Sequence, residues 1–213
     1  MAESEERAEA GGPPIGKEGA GNGDARRKLP RKATPAYLER AALFYLDRYA
    51  TSADNLRRVL RRKVARSARV HGSDPAEGEE AVEALIERFL GAGLLDDARY
   101  AEGRARRLAR RGQPLQVIRL QLLQKGVGED EIAAALAGLG AEAGDPELAA
   151  ALAYARRRRL GPFRAGAQRA AQRERDLAAL ARRGFAPDLA LKVIDAESPE
   201  ALEAEAAAPD MDS

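Results

Sequence analysis

No cysteine occurs in the 213 residues, which excludes disulfides, thiolate catalysis and cysteine-ligated zinc. Tryptophan is absent and aromatics make up only 4%, so the core has to be built mostly from leucine, alanine and valine. The single histidine, His71, falls in a stretch that reads as a loop and has no second histidine to share a metal or support imidazole chemistry. No apolar run approaches the roughly 20 residues that span a bilayer. The start, "MAESEERAEA", is acidic and lacks the apolar stretch of a secretory signal. A cytoplasmic protein without membrane contact, metal or cofactor is expected. The alternation of β-branched residues that marks strands is missing too, which leaves an all-α fold.

What the chain does have is alanine, leucine, arginine and glutamate, the composition of helices. Its net charge of +2 hides a segregation. Residues 1–25 carry −4 and residues 196–213 carry −6, which leaves +12 on residues 26–195. A GC-rich coding bias explains arginine in place of lysine. It does not explain the concentration of positive charge in one part of the chain, which suits an extended, negatively charged partner.

Punctuation divides the chain. Residues 1–35 read as a disordered tail, glycine- and proline-rich from residue 11, and "GAGNG" within it lacks the strand and helix that a phosphate loop needs. Residues 196–213 read as an acidic C-terminal tail, within which "ESPEALEAEAAAPDMDS" (197–213) is a short helix fraying into the tail. Between the tails, Pro75, Pro114, Pro146, Pro162 and Pro187 all fall at element boundaries. Helices are expected over 37–49, 53–69, 77–91, 97–111, 114–125, 129–139, 146–160, 165–183 and 187–196. Ser52 is the expected cap of the second, and "VHGSDPAEG" the loop after it. In "GLLDDARYAEG" (93–103), Leu94 and Leu95 close one buried element, Asp96 is the N-cap of the next, and Asp97 adds negative charge to its first turn.

The helices repeat. "LRRVLRRKV" (56–64), "IRLQLLQKGV" (118–127) and "LAALARRGF" (177–185) share an apolar pattern closed by Lys63, Lys125 and Arg183. Glycine follows the last two, whereas Val64 stands in that place in the first. Three units of three helices are expected, at 36–96, 97–140 and 145–195. Each is too small to bury its own apolar faces well, so they are expected to stack into an elongated, curved body.

This layout resembles the RecX family of bacterial recombination regulators. The likeness rests on "ALFYLDRYATSADNLRRVLRRKV" (42–64), "LIERFLGAGLLDDARYAEGRARRLARRG" (85–112), "IRLQLLQKGV" and "LARRGF" (180–185). The resemblance implies three tandem three-helix units that lodge in the groove of a RecA–DNA filament. It implies inhibition of the filament's ATPase, strand exchange and coprotease functions, with no reaction of the protein's own. The expected partner is then the RecA filament, with DNA contacted weakly or through the filament, by a monomer.

Candidate contact residues follow from the basic helix. Ala98, Ala101, Ala105 and Leu108 share one side; Arg99, Arg106 and Arg110 lie opposite; Arg104, Arg107 and Arg111 form an adjoining strip. Arg157 and Arg158 join them from the run 156–159, which wraps around a turn and cannot face one ligand as a whole. Lys125, Arg182 and Arg183 read as last-turn cations that complement a helix dipole. Tyr100 reads as a core or inter-unit packing residue rather than a base-stacking platform. Phe44, Tyr45, Phe89, Tyr154, Phe163 and Phe185 read as core, since base stacking needs aromatics clustered on the basic face. Besides the filament regulator, the sequence allows a stand-alone helical nucleic-acid-binding protein or a helical scaffold. An enzyme is the weakest class, because no nucleophile, base or metal set can be assembled.

Overall fold

A computed structural model describes residues 29–208, apart from the side chains of 142 and 143. The expectations for residues 1–28 and 209–213 lie outside it. The chain divides after Pro30, and the described helices lie in the part beginning at Arg31. Among the described residues there are ten α-helices and no strand.

The first bundle comprises α1 (Pro35–Leu46), α2 (Ala53–His71) and α3 (Pro75–Gly91), around Leu38, Leu56, Leu60, Val82, Ile86 and Phe89. Capping sets the boundaries. Thr34 and Asp74 cap helices whose first residue is proline, and Ser52 accepts a bond from the Asn55 amide (3.2 Å), as its place in the sequence implies. The tail boundary at 35 is corrected slightly, since the Ala33 amide already donates to the buried Ser67 hydroxyl (2.9 Å).

The second bundle is α4 (Asp97–Arg110), α5 (Leu115–Gln124) and α6 (Glu129–Ala143), around Ala101, Ala105, Leu108, Ile118, Leu122 and Ile132. The third is α7 (Pro146–Arg158), α8 (Gly166–Arg183) and α9 (Pro187–Asp195), with a 3-10 turn at Gly161–Phe163. The three apolar clusters follow the expected repeat.

Four expectations need correction. The short helix expected to fray into the acidic tail is instead packed: α10 (Pro199–Ala207) lies on α7 and puts Leu202 and Ala206 into the third core. The i,i+4 spacing of those two residues gives the helix an apolar edge within an acidic composition. The loop after α2 shrinks to 72–74, because Gly72 (φ +64°) closes α2 in the left-handed region and Asp74–Pro75 opens α3 at once. His71 is therefore the last residue of a helix rather than part of a loop. Phe44 is 63% exposed, turned about 200° from the buried Ala42 at two residues' distance, with the Arg48 guanidinium 3.6 Å over its ring.

The repeat shows most directly where bundles meet, because the two seams use the same parts. At the first, the amide opening α2, that of Ala53, donates to Asp97 Oδ1 (2.8 Å) in the first turn of α4. At the second, the amide opening α5, that of Leu115, donates to Glu147 Oε2 (2.7 Å) in the first turn of α7. The end of the following central helix also returns to the same place. Gly126 lies against Asp54, and Gly184 against Pro114 and Val117. Both glycines have positive φ. Lys63 has no such role, since it lies within α2, which runs on to its C-cap at Gly72.

Burial raises the pKa of both seam carboxyls, with nearby Glu131 and Asp54 adding to the effect at Asp97 and Asp145 at Glu147. A carboxyl whose folded pKa exceeds its unfolded value stabilises most below the unfolded value and loses that contribution as pH rises through the raised one. Asp97→Asn with Glu147→Gln keeps an acceptor for each amide. The double variant should match wild type in acid and become the more stable as pH rises through the carboxylate range, measured as the difference in Tm against pH. Asp97→Ala, which leaves the Ala53 amide unpaired, should instead cost about 1–3 kcal/mol.

Candidate functional site

Helix α4 carries most of the candidate arginines. Asp96 caps it by accepting from the Arg99 amide (2.8 Å), and Ala101, Ala105 and Leu108 are buried toward α6. Ala98, expected on that side, is exposed at the open first turn.

Arg106, Arg107, Arg110 and Arg111 line one open depression with Gly103. They are two adjacent i,i+4 rows, and Gly103 stands at the head of one with open space where a side chain would project. Arg106 and Arg110 also border a second depression toward the third bundle, floored by Leu139, Pro146, Ala149 and Ala153. Four of the eight candidate side chains are thus brought together.

The other four are not. Arg99 is exposed at the start of α4. Arg104 turns to α5, where its Nη2 donates to Gln121 Oε1 (3.2 Å), so the strip expected with Arg107 and Arg111 divides. Arg157 sits over Tyr154 (5.9 Å to the ring centroid), and Arg183 lies over the same ring at 5.3 Å. Arg183 also donates through Nε to the Gly112 carbonyl (3.3 Å), which makes it a seam residue. Arg158 is exposed at the end of α7, while its neighbour Arg156 pairs with Glu203 of α10.

Gly112 explains why the second seam is tight here. Its φ is +66°, and a Cβ there would stand 2.6 Å from the Tyr154 backbone nitrogen. Only glycine meets both conditions.

Sequence reasoning passed over Arg58 and Arg62. Their i,i+4 spacing on α2 was visible, but their proximity to Lys125 depends on the seam. Tyr100 is half-buried against the second core, in keeping with its reading as a packing residue, and burial raises its phenol pKa. Among the described residues no helix is long and apolar enough to cross a membrane, and no cluster of metal-ligating side chains occurs.

Tandem three-helix bundles, joined by repeated seams and bearing a cationic depression on the middle one, define a helical-repeat protein with a surface suited to anions. Comparison with known proteins gives the family. The model of the RecX second three-helix domain matches residues 96–136, which span α4, α5 and the first half of α6. A protein named Regulatory protein RecX from Myxococcus xanthus is 44% identical over 169 residues, 79% of this chain and 89% of its own length. Namesakes from Thermobifida fusca and Agrobacterium fabrum are 36% and 28% identical, over 60% and 84% of this chain and 64% and 94% of their own lengths. No solved structure matches. The chain belongs to the RecX family of regulatory proteins.

Proposed function

We propose that this protein is a non-catalytic, cytoplasmic regulator that docks as a monomer on a RecA–DNA filament and inhibits its ATPase, strand exchange and coprotease functions. The reading rests on kinship with Regulatory protein RecX through the three-bundle body. The depression lined by Arg106, Arg107, Arg110 and Arg111 supports it, since grouped guanidiniums suit a large polyanionic assembly on which many modest contacts add. Arg99, Arg104, Arg157 and Arg158 are accessory candidates around it, and no cofactor is needed.

The test is a titration of the protein into cognate RecA on single-stranded DNA, following ATP hydrolysis and filament length together. Both should fall with increasing protein. Unchanged hydrolysis and length at saturation would remove the proposal. Tight, salt-steep binding to bare DNA without any effect on RecA would favour a stand-alone nucleic-acid-binding protein instead.

A further inference from the structure

A second cationic group lies at the seam of the first and second bundles, away from the α4 depression. Arg58 Nη2 of α2 donates to the Gln124 carbonyl (2.8 Å), and Arg104 of α4 holds Gln121 one turn earlier on α5. Both guanidiniums therefore converge on the last turn of α5, where Lys125 is the C-cap residue and its carbonyl accepts from Ser52 of the first bundle. Arg62 follows Arg58 by one turn, so the row climbs α2 in steps of about 6 Å.

Three helices contribute four cations. Against them stands Asp54, 3.0 Å from Arg58 and shared with Arg57 (3.3 Å). The other basic residues on this part of α2, Arg57 and Arg61, are turned away onto Glu83 of α3. Lys125 and Arg62 have no carboxylate partner among the described residues, and Arg104 Nε is buried without an acceptor. The Lys125 ammonium is pushed below the usual lysine range by burial, then by Arg104, Arg58 and Arg62. The fold thus gathers like charges and leaves them under-neutralised, an arrangement that an external anion relieves.

We propose that this seam binds the phosphodiester backbone of a nucleic-acid strand, through Arg58, Arg62, Arg104 and Lys125. A row that crosses three helices suits consecutive phosphates better than one small anion. The contact is to backbone alone and independent of base sequence, because the neighbouring aromatic, Tyr100, packs against the second core. The proposal does not require RecA, so its failure would leave the filament reading standing, and the reverse also holds.

The experiment is fluorescence anisotropy of a labelled single-stranded oligonucleotide, without RecA, across a salt series. Arg62→Gln with Lys125→Gln should weaken binding roughly tenfold or more and make the slope of log K against log salt shallower by about 1.4. Arg88→Gln with Arg119→Gln removes the same formal charge from cations paired to Glu39 and Glu129, and should change affinity less than twofold. Inorganic phosphate at constant ionic strength should fail to displace the strand. If circular dichroism shows lost helicity in the double variant, Arg62→Gln alone carries the test, with a slope change of about 0.7. Equal weakening in both pairs, no weakening at the seam, or displacement by phosphate would overturn the proposal.

Discussion

Asp176→Ala should cost about 3–5 kcal/mol of stability, the usual penalty for breaking a buried ion pair from one side. Asp176 lies on α8 with a side chain 2% exposed, and it accepts from Arg164 Nη2 (2.6 Å), Arg164 Nε (3.1 Å) and the Gly161 amide (3.0 Å). Those bonds tie the 3-10 turn to α8 under the third core. Alanine would strand a guanidinium and an amide together. The Arg164 side chain is 21% exposed and can recover some hydration, which places the expected value toward the lower end. Asp176→Asn, which keeps an acceptor for Gly161, should cost less. Urea unfolding gives the measurement, and a loss under about 1 kcal/mol would mean that the pair contributes little.

Nothing local in the sequence reveals this pair. Asp176 sits in "QRERDLAAL", where it reads as one more solvated charge on a helix, and Arg164 lies twelve residues away in a different element. Burial of that kind depends on tertiary packing. The helices themselves were legible, because caps such as Ser52 and Asp96 and the apolar spacing of Leu56, Leu60 and Val64 are local signals. Of the repeat, Lys125–Gly126 and Arg183–Gly184 were legible as chain turns. Their second role, as the places where one bundle docks on the previous one, appears only with the seams.

Changing Arg106, Arg107, Arg110 and Arg111 together to glutamine should raise the concentration needed for half-inhibition of RecA ATPase roughly 10²–10³-fold, if each supplies one polyanion contact. Arg107, Arg110 and Arg111 are exposed and Arg106 is half-buried beside Glu102, so helicity should survive. Arg99→Gln, on the same helix but outside the depression, should matter far less. The ATPase titration reads both, and an unchanged half-inhibitory concentration in the quadruple variant would separate the depression from function.

The candidate site was half legible. Helical spacing identifies arginines that share a row, but not that Arg104 is drawn to Gln121, since that partner comes from another helix. The acidic C-terminal segment misled in the same way. Glu203 and Glu205 read as tail charge, yet they pair with Arg156 and Lys192 because Leu202 and Ala206 seat α10 in the third core.

A density map of the protein on a cognate RecA–DNA filament is the most direct measurement. Filament groove density should enclose the three bundles, with the Arg106–Arg111 face of α4 turned onto the filament. A map with that face open to solvent, or with no bound density at saturating protein, would contradict the account.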